Sequence, residues 1–269
     1  MTILKKIIKK FLNLKFKNNQ LSNLFNFIFS HIINQHRVIL FKKNKINLCE
    51  VNNWTKERNL NFTENEKETL NWIENFKGSQ IINFFDIGSN IGHFSIYAAL
   101  THENIQVTSF EPSFYNQLAL IKNIKLNNLN KKINIVGNPI SLRSKLGNLN
   151  LSSDDIGAAM NKFDSNKNQT DKNSYKLPSL SLDDFVKIYN IKPDYIKIDV
   201  DGLEKEIILG SKNLFNSHYI KEILIEIDER LDSNNQIFNF LNNNKFKFKE
   251  KHNLNIDLPI FNQLWVNDS

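Results

Sequence analysis

The chain has 269 residues, a formal net charge of +7 and one cysteine, Cys49. One thiol excludes a disulfide framework and a multi-cysteine zinc site, so a reducing compartment is the simpler expectation. Residues 1–45 hold ten Lys or Arg and no acid, which leaves 25 basic against 28 acidic residues in the rest. A basic working face over the main domain is therefore not expected, and nucleic acid is not expected as a partner.

In chain order, "MTILKKIIKKFLNLKF" sets Ile3, Leu4, Ile7, Ile8, Phe11 and Leu12 on one helical face and Lys5, Lys6, Lys9 and Lys10 on the other. Such a helix either lies on an anionic membrane surface, through residues 1–17, or packs its apolar stripe on the protein body. The apolar stretch that follows is interrupted by Asn23, Asn26, Ser30, His31 and Asn34, which is short of the ~18 uninterrupted residues of a spanning helix. With no small-residue cleavage site after it, the expected location is cytoplasmic, with peripheral contact at the inner face of a membrane. Residues 1–60 are expected to form a basic, mostly helical extension, and residues 61–269 the main domain.

"TENEKETLNWIENFKG" offers a capping box, Thr63 with Glu66, a buried stripe of Leu70, Ile73 and Phe76, and Gly78 as a stop. Strand and helix patterns then alternate. Strands are expected at "QIINFFDIG", "IQVTSFEP", "KINIVGNPIS", "DYIKIDVDG" and "YIKEILIEID", and helices at "HFSIYAALT", "SFYNQLALIKNIKLNNL", "LEKEIILGSKNLF" and "NNQIFNFLNNN". That order predicts an α/β fold with a doubly wound, mainly parallel, Rossmann-like sheet. Two closing strands, "KFKFKEK" and "FNQLWVN", give it an antiparallel C-terminal end. Residues 147–180 interrupt the alternation with a polar stretch, read as a lid or substrate loop.

In such sheets ligands bind beyond the carboxyl ends of the strands, where strand order reverses. "DIGSNIG" falls there. Gly88 permits a tight turn and Gly92 a close approach to the start of a helix, whose amides favour a polar or anionic group. Glu111 ends the second strand about twenty residues on, the spacing of a carboxylate that takes ribose hydroxyls. A dinucleotide needs a middle glycine, and Ser89, Asn90 and Ile91 stand between the two here. Asp86, two residues before the turn, suits a cationic amino-acid tail better than a pyrophosphate. The pattern favours S-adenosylmethionine over NAD.

The ordered set "FFDIGSNIGHFSIYAA", "SFEP", "LDDF", "PDYIKIDVDGLEKEIILGSKNLF" and "ILIEID" resembles the FkbM family of S-adenosylmethionine-dependent methyltransferases over roughly residues 80–230. The resemblance implies a class I methyltransferase fold and methyl transfer to a hydroxyl, on sugars, glycans or polyketide-derived compounds. Asp199-Val200-Asp201-Gly202 stands where the family usually has Asp-x-Glu-Gly. Carried over by position, Asp86, Gly88, Ser89, Asn90 and Gly92 would hold the methionine part. Glu111 and Pro112 would flank the ribose, and the stretch from Asn138 to Ser141 the adenine. Asp199 would face the sulfonium. Asn90 could equally cap the helix, and Asn138 serve a turn.

Methyl transfer to a hydroxyl needs orientation and a proton acceptor. Asp199, Glu226 and His93 are the candidates, with Lys197 on the strand face of Asp199. For Glu226 the alternative is a strand-end salt bridge, and for His93 a helix-start hydrogen bond. The acceptor partner is expected to be a small-molecule or glycan hydroxyl. No protein-bound metal is expected. Two rival readings are a metal-dependent nucleotide-sugar glycosyltransferase built on Asp199-x-Asp201 and a non-catalytic scaffold associated with membranes through the basic arm.

Overall fold

The computed structural model describes residues 35–78, 80–164, 173–254 and 257–268. The basic stretch over residues 1–17, with the membrane contact expected of it, lies outside the described residues. No helix among the described residues is long and apolar enough to cross a membrane.

A hairpin opens the described chain, β1 (His36–Phe41) against β2 (Asn44–Cys49). Helices α1 (Asn53–Asn65) and α2 (Lys67–Glu74) follow. Strands β3 (Ile82–Ile87), β4 (Ile105–Phe110) and β5 (Ile133–Val136) alternate with α3 (His93–Thr101) and α4 (Phe114–Leu126). Next come β6 (Leu146–Asn150), β7 (Lys162–Asp164), β8 (Ser174–Pro178) and α5 (Leu182–Tyr189). The chain ends with β9 (Tyr195–Ile198), α6 (Glu204–Leu209), α7 (Lys212–Asn216), β10 (Glu222–Asp228), α8 (Asn234–Asn243), β11 (Phe246–Asn253) and β12 (Ile260–Asn267).

The main sheet runs β11-β12-β10-β9-β3-β4-β5, parallel except where β12 pairs antiparallel with β10 and β11. It is the expected doubly wound sheet, and its order reverses between β3 and β9. Successive residues serve opposite faces, as strand geometry requires. Phe84, Val107 and Leu224 join Leu70, Ile96, Tyr97 and Leu120 on one side. Phe85, Phe110, Ile196 and Ile223 join Phe185, Ile208, Phe215 and Ile237 on the other. Each such side chain, removed from water, contributes roughly 1.5–3 kcal/mol. The core therefore fixes the strand register, and with it the residues at the strand ends.

Four expectations change. The described part of the 1–60 extension is a β-hairpin leading into α1, not a helical arm, because Ile46 and Leu48 alternate onto the core and the Asn123 amide oxygen accepts from the Cys49 backbone N–H. The capping box is Asn52 with Thr55, at the start of α1. Thr63 falls inside that helix, and the Glu66 carboxylate instead accepts from Thr69 and Asn262. The single helix expected over residues 203–215 breaks into α6 and α7 at Gly210, where a Cβ would come within 2.6 Å of the Ser141 carbonyl oxygen. Finally, the interruption at residues 147–180 contains a three-stranded antiparallel sheet, β7-β6-β8, with residues 165–172 outside the description.

Candidate active site

The carboxyl ends of β3, β4 and β9 open into a cleft lined by Gly88, Asn90, Glu111, Pro112, Asn138 and Asp199 among others. Those six were singled out in the sequence, and the fold brings them together at the point where strand order reverses. Gly88, at φ +86°, makes that possible: a Cβ would lie 1.8 Å from the Asp199 carbonyl oxygen. The glycine there serves the close approach of two strand ends.

Glu111 is 4% exposed. Its carboxylate accepts from the backbone N–H groups of Asn90 (2.8 Å) and Ser113 (2.8 Å) and from the Asn116 amide (3.4 Å). Burial pushes the carboxyl up to about 7, against the pull of those donors. An ionised carboxylate offers about four acceptor positions, so capacity remains for a hydroxyl donor from the cleft. Asn90, held at φ +50°, leaves its amide oxygen buried and without a partner among the described residues. A buried acceptor of this kind is costly unless a ligand donates to it. A nucleoside ligand with hydroxyl and ammonium donors fits these two groups.

Other assigned residues sit differently. Asp86 is fully buried beneath the turn, accepts from the Ser95 hydroxyl at 2.5 Å and does not line the cleft. Burial raises its pKa in spite of nearby Lys197. Gly92, at φ +88°, makes room for Leu120, which a Cβ would meet at 2.3 Å, so its space is filled by α4. Ser89 is buried and donates its backbone N–H to the Phe110 carbonyl. Asn138, Pro139 and Ile140 line the cleft, whereas the backbone N–H of Ser141 donates to the Leu180 carbonyl.

The three candidate bases separate on electrostatics. Asp199 is 30% exposed, reaches the cleft and pairs with the Lys197 ammonium at 2.6 Å. Lys197 is buried. Burial disfavours its charge, but Asp199, Glu66 and Asp86 outweigh that and hold it protonated. His93 does not line the cleft, and burial, then the Arg58 charge, lower its pKa to about 3. Its Nε2 lies 2.9 Å from the Asn59 amide oxygen and its ring stacks on Phe62, which makes it a packing and hydrogen-bonding residue. Burial and the Asp199 charge raise the pKa of Glu226, which favours its protonated form, and Glu226 does not line the cleft.

The Asp199 and Asp201 carboxylates both line the cleft but take different partners. Asp201, at φ +55°, accepts from the Met160 backbone N–H at 2.7 Å, while Asp199 turns to Lys197. That division disfavours the Asp-x-Asp metal reading.

A strap within residues 147–180, the stretch read from the sequence as a lid or substrate loop, borders the cleft. Asn52 donates to the carbonyl of Ile156, Arg58 to that of Gly157, and both Asn90 and Asn116 to that of Ala158. Ala158, Ala159 and Asn161 thereby roof the ligand space. The sequence marked the stretch, but a "GAA" run in it has no periodicity that would single out these residues.

The description "Methyltransferase FkbM domain" matches residues 86–248, more than half of the chain. The chain belongs to the FkbM methyltransferase family. Membership makes S-adenosylmethionine the cofactor, in agreement with Glu111 and Asn90. No curated protein matches the sequence. Among solved structures, a Streptococcus mutans protein assigned to the SAM-dependent methyltransferases aligns at TM-score 0.50 and 11% identity, over 86% of this chain and 55% of that one, and shows the shared fold. The FkbM methyltransferase of Methylobacillus flagellatus KT aligns at TM-score 0.49 and 15% identity over 71% of this chain, which spans 45% of that protein's length. Aeropyrum pernix fibrillarin, solved with natively bound S-adenosyl-L-methionine, aligns at TM-score 0.47 and 8% identity over 87% and 84% of the two chains.

Proposed function

We propose that the FkbM-family chain transfers a methyl group from S-adenosylmethionine to a hydroxyl of a sugar, in a polysaccharide, glycolipid or related natural product. The observation that carries this reading is Asp199, a partly exposed carboxylate anchored on a buried lysine in the cleft that Glu111 and Asn90 also line. When bound, the cofactor supplies a methyl carbon already activated by positive sulfur. Glu111 would hold the ribose hydroxyls, and Asn90 would accept from a donor beside the turn. The strap at residues 156–161 would exclude water, which strengthens every charge interaction inside. Asp199 would receive the acceptor's hydroxyl proton, with Lys197 fixing its carboxylate in place. The choice of a sugar rests on the hydroxyl acceptors expected from the resemblance.

The test is transfer of labelled methyl from S-adenosylmethionine to a panel of sugars and glycolipids, followed by linkage analysis. An acid- and base-stable methyl ether is the expected product. Label recovered only on nitrogen, or on RNA, would overturn the hydroxyl reading.

A further inference from the structure

A second recess adjoins the cofactor cleft and shares Arg58, Gly88, Asn90 and Asp199 with it. Its remaining wall comes largely from α1 and the start of α3, with Asn61 and Asn65 at its rim and Glu66 and Lys197 also lining it. Residues 58–66 precede the stretch that matches the family, residues 86–248. The recess holds both signs of charge, and its cations are in different states. Lys197 is engaged by Asp199 at 2.6 Å. Arg58 spends its Nε on the Gly157 carbonyl, and its two terminal nitrogens have no hydrogen-bond partner and no carboxylate at ion-pair distance among the described residues.

We propose that Arg58 binds the carboxylate of the cofactor's amino-acid end, which would lie in this second recess. The inference rests on the methyltransferase reading of the neighbouring cleft. Two observations lead to it. The recess adjoins the cleft at the glycine turn and shares Gly88, Asn90 and Asp199 with it, where a zwitterionic tail would run. A guanidinium with two free nitrogens matches a carboxylate in the fork geometry that makes such pairs strong. Glu66 in the same recess suits the ammonium.

The test compares two ligands on full-length protein by calorimetry: S-adenosylhomocysteine, which carries the tail, and 5′-methylthioadenosine, which lacks it. Arg58→Met should weaken S-adenosylhomocysteine by roughly tenfold to a hundredfold, the range for a lost charged hydrogen bond, and leave 5′-methylthioadenosine within about twofold. Arg58→Lys should restore part of the loss. Equal weakening of both ligands would mean that Arg58 acts only through its bond to Gly157, and would overturn the proposal. Unchanged affinity for both would overturn it as well. Failure of the unsubstituted protein to bind S-adenosylhomocysteine would instead sink the methyltransferase reading on which the proposal rests.

Discussion

Asp199→Asn is expected to lower kcat for methyl transfer by roughly 10²–10⁴-fold, the usual contribution of a positioned base. The amide keeps the shape of the side chain and its place at the end of β9, but it cannot take a proton. Neither alternative, His93 or Glu226, lines the cleft, and burial with the Asp199 charge pushes Glu226 toward its protonated form. The control is S-adenosylhomocysteine affinity, expected to stay within about tenfold of the unsubstituted value. Retained affinity would show that the loss lies in the chemical step, since the interaction is needed only in the transition state. The substitution also strips Lys197 of its nearest counter-charge, but Glu66 and Asp86 remain close by. A kcat within threefold of the unsubstituted enzyme would remove Asp199 as the base.

Glu111→Gln should weaken S-adenosylhomocysteine by roughly tenfold to a hundredfold, as expected for charged hydrogen bonds to the ribose. The glutamine also turns an N–H group toward the backbone donors of Asn90 or Ser113, which the carboxylate now accepts. A pH signature should accompany the loss. The carboxyl of the free protein sits at about 7 because of burial, and hydroxyl donors bind its ionised form. Below pH 7 binding must first ionise it, so affinity should fall by up to about tenfold per pH unit as the solution is acidified, with a proton released on binding. Above pH 7 the dependence should vanish. Titration in buffers of different ionisation enthalpy measures the proton directly. A Glu111→Gln protein with unchanged affinity and an unchanged pH profile would mean that the ribose lies elsewhere.

The sheet was legible because its strands are apolar on both faces and its turns carry glycine at the strand ends. The site was legible where function and backbone geometry coincide. Gly88, Glu111 and Asp199 end three neighbouring strands, so a correct strand order was enough to bring them together. The failures have physical causes as well. Asp86 alternates to the face of α3, and only the three-dimensional register shows that Ser95 stands there to meet it. The β1–β2 hairpin turns at Lys42, with φ +51° and no glycine, so its sequence carries no turn signal. Arg58 and Asn116 reach the cleft from helices by long-range contacts with residues 157 and 158, a relation that no local spacing encodes. His93 and Glu226 were named for their chemistry, and burial then changed that chemistry.

The measurement that bears most directly on the whole account is calorimetric titration of the unsubstituted protein with S-adenosylhomocysteine, repeated with NAD and with UDP-glucose plus manganese. The account predicts saturable one-to-one binding of S-adenosylhomocysteine and no heat of binding from the other two. Binding of UDP-glucose with manganese, and none of S-adenosylhomocysteine, would contradict it.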